Sequence, residues 1–217
     1  MTARRCLSNR RSFLSATAAF SAGASGWIGT PDKVLADDNS INILGPKPGY
    51  SPQLGALVSM LTWMQMAIPS TVKDLTKNDL DYLFDKNANS IGALLLHLAA
   101  TETYYQLNTF QGMKWDSWPA PVKQKWDAAM NLGQAGRETI KGHDLAYYLE
   151  TLHETREKSL AGFRQRDDAW LMSVDKDWDW GPTNNYCKWF HVCEHISHHS
   201  GQIALLRKRL PGAKSAA

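Results

Sequence analysis

His191, His195 and His199 stand four residues apart in Phe190-His-Val-Cys-Glu-His-Ile-Ser-His-His-Ser-Gly-Gln-Ile203. On a helix, residues at i and i+4 share a face, with Cβ atoms about 5–6 Å apart. Two imidazoles so spaced can converge on one metal ion. A third ligand from another helix would leave coordination positions open for water or substrate, as catalytic sites require and closed structural sites do not. All three cannot serve one ion from a straight helix, because i to i+8 spans roughly 12 Å of rise. His191 is therefore expected beside the ion, as a catalytic base or orienting group.

His97 is the matching residue elsewhere in the chain. It lies in Leu94-Leu-Leu-His-Leu-Ala-Ala-Thr-Glu102, an otherwise apolar run. Burying a lone imidazole costs free energy unless something bonds it, and a shared ion would do so. Beyond His191 and Glu102, no acid/base partner stands out in the sequence.

Leu96-His-Leu-Ala-Ala-Thr-Glu102, together with His191-Val-Cys-Glu-His-Ile-Ser-His-His-Ser-Gly-Gln-Ile-Ala-Leu-Leu206, resembles the DinB family of four-helix proteins. That superfamily also contains metal-dependent thiol S-transferases and a mycothiol-dependent isomerase. The late segment resembles its histidine-rich helix ending in His-x-Gly-Gln, and the resemblance spans about Ser51 to Leu210. It implies metal ligands His97, His195 and His199, with His198 pointing away and His191 one turn further along the metal face. Ser200 replaces the arginine common in the family, which leaves the ligands untouched. The resemblance also allows a homodimer.

Two other motifs compete. His191-Val-Cys-Glu-His195 fits H-x-x-E-H, the inverted zinc-peptidase pattern, but no Asp or Glu follows Glu194 to act as the downstream ligand. Glu150-Thr-Leu-His153 fits the E-x-x-H of di-iron bundles. It occurs once, and neighbouring Arg156 and Glu157 suggest a solvated face.

The elements that must carry these residues read as helices. Leu54, Leu57, Val58 and Leu61 follow the 3.6 period, and Pro69 is expected to stop that run. Asn89-Ser90 offers an N-cap for a second helix, which Gly112 ends. Val122 to Met130 suits an extra short helix. Asp144 caps a third long pattern running to about Arg166. The Trp170–Trp180 stretch is irregular and aromatic, placed to roof a metal pocket or to cap the core. A fourth helix starts near Thr183 or Asn184 and runs to Leu210, before Pro211-Gly212. The expected class is all-α, a four-helix bundle over residues 51–210, with a linker at 37–50 and a tail at 211–217.

Ser8-Asn-Arg-Arg-Ser-Phe-Leu14 resembles a twin-arginine export signature. A mildly apolar Ala/Gly/Ser-rich stretch and a cleavage site after Ala36 follow. Residues 1–36 thus read as a disordered signal peptide, with a periplasmic or exported destination. Cys187 and Cys193 lie too far apart on one helix to pair. The 217 residues carry a formal charge of only +3, which leaves no nucleic-acid footprint. No run of 18 or more apolar residues occurs, so no permanent membrane span is expected.

The chemistry expected is that of one divalent ion, zinc, nickel or iron, since three imidazoles do not select strongly. It would activate water or a thiol for hydrolysis or thiol transfer on a small-molecule substrate. The competing expectation is a non-catalytic metal-holding or stress-related bundle.

Overall fold

The computed structural model describes residues 41–213. Residues 1–36, where an export signal is expected, and the last tail residues lie outside the described residues. Four long helices form the bundle: α1 (Pro52–Val72), α3 (Ile91–Gln111), α6 (Leu145–Phe163) and α8 (Asn185–Arg207). Four shorter ones decorate it: α2 (Lys77–Asp81), α4 (Ala120–Asn131), α5 (Gly133–Thr139) and α7 (Asp168–Met172). A two-residue antiparallel ladder pairs β1 (Val174–Asp175) with β2 (Thr183–Asn184). None of the described helices is long and apolar enough to cross a membrane.

Local signals set most helix ends. Ser90, Asp144 and Asn184 each accept a backbone N–H from three residues on, satisfying a donor the helix itself leaves free. Gly112 ends α3 at φ 69°, a left-handed conformation suited to glycine. Pro69 does not end α1, contrary to the sequence pattern; the helix runs on to Val72. Ile68 and Val72, one turn apart, are both buried in the core, and their packing carries the helix past the missing N–H. The stretch from Leu75 to Phe84 reads as either a turn of helix or a loop, and α2 settles it as helix; α5 and α7 were not expected, because short segments carry little periodicity.

α3 is the central element, packed on both α6 and α8, while α8 also packs on α1. The α3–α6 approach is close at Gly92, where an added Cβ would lie 2.6 Å from the Tyr148 hydroxyl. An aromatic cluster fixes the rotation of α8. Trp189 is fully buried, stacks on Phe110, meets Phe163 edge-on and donates Nε1–H to Thr109 Oγ1 at 3.0 Å. From this anchor, Val192, Cys193, Ile196, His199 and Ile203 continue the buried stripe. Cys187 and Cys193 are free thiols, the first exposed and the second buried.

Candidate metal centre

The orientation of α8 brings His195 and His199 against α3, where His97 waits. His97 Nε2 lies 2.8 Å from His195 Nε2, and His195 Nε2 lies 3.1 Å from His199 Nε2. One nitrogen from each ring falls within 4.8 Å of the other two. Two nitrogens bonded at ~2.0–2.1 Å to a tetrahedral zinc sit roughly 3.3 Å apart, so the set is nearly that of a loaded site.

The outer nitrogens of His97 and His199 show which tautomer those two rings hold. His97 Nδ1 is 2.9 Å from the Ala129 carbonyl, which can only accept, so Nδ1 carries the proton. Ala129 lies in the last turn of α4, where carbonyls lack intrahelical donors. His199 Nδ1 likewise faces Gln202 Oε1 at 2.8 Å, while the Gln202 amide nitrogen reaches His198 Nε2 at 3.0 Å. Both Nε2 lone pairs therefore point inward. Facing lone pairs repel, and a bound cation turns that repulsion into ligation.

Electrostatics agree. Burial, reinforced by the adjacent imidazoles, pushes the His195 pKa down to about 3. Burial also pushes His199 down to about 4, with His97 adding to the effect. Burial lowers His97 too. All three are neutral near pH 7, the form that binds metals. The donor set fits a divalent ion on its chemistry.

His191 and His198 separate from the convergent set, the first as the helical spacing suggested and the second as the resemblance implied. His198 is exposed. His191 lies outside the convergent set, half-buried, its ring centroid 5.2 Å from that of His195. Its Nδ1 is 3.1 Å from Glu194 Oε1. Trp180, itself exposed, packs edge-on at 5.0 Å, and Tyr105 lies on another side at 5.8 Å. Of the three tryptophans in the irregular stretch, Trp170 stacks on Phe110 in the core and Trp178 is buried between Tyr105 and Trp115.

Two readings of the sequence need correction. Arg156 does not belong to a solvated face. It is 4% exposed and donates from Nε and Nη2 to Glu102 at 2.7 and 2.9 Å. Glu102, also accepting from Ser159 at 2.6 Å, is closed off by these partners and is no acid/base group for the metal site. Glu150 and His153 are exposed, and among the described residues no second cluster of three potential ligands occurs. Sequence reasoning also missed Thr101, Gln202 and the Ala129 carbonyl. Thr101 Oγ1 lies 3.5 Å from His195 Nε2, and its i+4 spacing from His97 was the available signal. No local pattern could have named a backbone carbonyl on another helix.

Residues 56–212 match the family model described as mycothiol-S-transferase. The fold is similar to a solved structure of a conserved protein from Enterococcus faecalis, with a TM-score of 0.54 and 16% identity, covering 70% of this chain and 94% of that one. No curated protein matches the sequence.

Proposed function

The chain belongs to the mycothiol-S-transferase family, a DinB-like family, and from that premise we propose that it is a metal-dependent S-transferase. It activates the thiol of a small molecule and presents the sulfur to an electrophile. His97, His195 and His199 hold the ion. A divalent ion in that position lowers the pKa of the thiol or water it binds and supplies Lewis acidity. The Ala129 carbonyl and Gln202 Oε1 keep the His97 and His199 rings turned inward. His191 donates Nδ1–H to Glu194, which leaves Nε2 free to take the thiol proton. Trp180 and Tyr105 flank His191 and restrict its access to water.

The observation that carries this reading is the convergence of three Nε2 atoms, two of whose rings, His97 and His199, have Nδ1 already committed to Ala129 and Gln202. The experiment is metal analysis, followed by thioether formation between low-molecular-weight thiols, mycothiol included, and a thiol-reactive fluorophore. Metal-dependent conjugation is expected. Ester hydrolysis without conjugation would make the protein a hydrolase, and stoichiometric metal without turnover would make it a metal-holding bundle. Replacing His191 by Ala should leave metal content intact and slow conjugation by about 10²–10⁴-fold, the range of general acid–base catalysis.

We infer further that the protein is exported folded and metal-loaded, a reading supported by Arg10-Arg11 and the segment after them. Loading before export lets the cytoplasm choose the ion, since copper and zinc outcompete weaker binders at histidine sites. Replacing both arginines by Lys should strand the protein in the cytoplasm, and undiminished periplasmic delivery refutes the route.

A further inference from the structure

The start of α8, the β1–β2 region and the C-terminal end of α3 border a cavity of about 830 Å³, within the roughly 300–1,000 Å³ range of small-molecule pockets. Asn108 of α3 and Asn185 and Lys188 of α8 line it, and none of the three convergent histidines does.

Lys188 shows what this wall attracts. The residue is 2% exposed, and its Nζ donates to Asn108 Oδ1 at 2.8 Å and to Asp175 Oδ2 at 2.7 Å. The same Nζ lies 4.0 Å above the Trp178 ring. An amide oxygen, a carboxylate and an indole face thus hold one ammonium. Asp175 balances its charge.

Asn185, three residues earlier on α8, repeats the amide oxygen without a donor. It is 9% exposed, and its Nδ2 donates to the Trp170 carbonyl at 3.0 Å and to Ser173 Oγ at 3.1 Å. The Trp170 carbonyl can only accept, and Ser173 Oγ spends its own hydrogen on that carbonyl, so the amide cannot be turned over. Asn185 Oδ1 therefore points the other way and accepts nothing among the described residues. Unlike Trp178 Nε1, a buried orphan sealed from solvent, it is open to the cavity. Amide oxygens in so buried a side chain ordinarily find a donor. Asp177 and Asp179 line the same cavity, exposed and without a salt bridge among the described residues, and Lys114 is the one exposed lysine in the wall. A hydroxyl would give Asn185 its donor but leave the carboxylates unanswered. A quaternary ammonium would answer the carboxylates but has no hydrogen to donate. A primary ammonium does both.

We propose that this cavity is a second ligand site, for a small amine whose primary ammonium donates to Asn185 Oδ1 and faces Asp177 and Asp179, with its carbon body against Trp115. The site is independent of the metal centre, so either reading can fail without the other.

The test is an NMR titration of the full metal-loaded protein, followed at the Asn185 side-chain amide and the Trp115 indole N–H. The probe is benzylammonium. Benzyl alcohol keeps the ring and a donor without the charge, and benzyltrimethylammonium keeps the ring and the charge without a donor. Benzylammonium should shift both signals saturably and bind about tenfold more tightly than either control, the low end for a hydrogen bond to a charged group. Asn185→Leu should erase the preference over benzyltrimethylammonium while metal content stays unchanged. Asp177→Asn/Asp179→Asn, at exposed positions, should weaken benzylammonium about threefold, as expected of exposed charges, and leave benzyl alcohol unaffected; this variant and the two controls decide if Asn185→Leu does not fold. Equal binding of the three probes, tighter binding of either control, no saturable binding, or shifts at the histidines instead of the cavity would overturn the proposal.

Discussion

α3 buries polar side chains along two of its seams, and the two are finished differently. Toward α6 it presents Glu102 and Gln106, one turn apart. These meet Arg156, Ser159 and the Thr155 carbonyl, at 2.6–2.9 Å. Toward α8 it presents His97 and Thr101, also one turn apart, and these meet His195 and His199. The α6 seam pairs donors with acceptors, and its carboxylate is satisfied within the chain. The α8 seam turns two acceptors, His97 Nε2 and His199 Nε2, toward its centre and places their donors on the outside. Buried polar groups normally find partners in the protein. A seam that withholds them, while orienting two of its three rings from behind, is built for a cation.

The comparison breaks most simply at the ligands. His195→Ala should abolish stoichiometric metal binding while the protein stays folded, as metal analysis on a monodisperse sample would show; a variant that keeps a full equivalent of metal removes the α8 seam from contention. The mirror experiment is Glu102→Leu. It strands the Arg156 charge in the core and should cost ~3–5 kcal/mol in denaturant unfolding, the typical penalty for breaking a buried pair. Metal stoichiometry per folded chain should not change. If it falls, the two seams are coupled and the contrast drawn between them is wrong.

Gln202→Leu removes the acceptor behind His199. Such supporting contacts are typically worth ~10–100-fold in metal affinity. Because Gln202 is exposed, the low end, about tenfold, is expected in a competition titration.

A graded effect should come from pH. His195 and His199 hold folded pKa values of about 3 and 4, below the unfolded value of 6.5. The unfolded chain therefore binds more protons in between, and stability falls as pH drops. For metal-free protein the contribution is complete above about 6.5 and is lost on descending toward 4 and 3. Calorimetric midpoints should decline over that window, and less so in His195→Ala/His199→Ala. An equal decline in the double variant would assign the pH sensitivity elsewhere. The smallest effect belongs to His198→Ala, which should leave metal affinity within a factor of a few, although it faces the same glutamine.

Much of this was legible without coordinates because helices advertise themselves locally. Period, caps and the i, i+4 rule involve residues within one turn of each other, so Asp144 could be read as a cap directly, and Ser90 and Asn184 to within one residue. The pairing of His97 with His195 and His199 was legible for a different reason: an imidazole in an apolar run needs a partner, and a histidine pair lacks one. Where reading failed, the deciding partner was remote. Pro69 looks like a stop, but Ile68 and Val72 find a core that holds the helix together beyond it. Arg156 looks solvated beside Glu157, yet its partner Glu102 lies 54 residues away.

The sequence alone therefore determined the all-α class, the four long helices, and a buried His97 facing a histidine pair one turn apart; these follow from short-range geometry and from the cost of burying an unpaired ring, while the resemblance to the DinB family implied that the pair is His195 and His199. Only the tertiary structure decided which nitrogens face inward, because Ala129 and Gln202 set the tautomers from opposite sides. It alone decided that Glu102 is sealed away from the metal site by Arg156 and Ser159. Those outcomes depend on how helices rotate against one another. Rotation is set by packing such as Trp189 against Phe110 and Phe163, a sum over many distant contacts that no local pattern encodes.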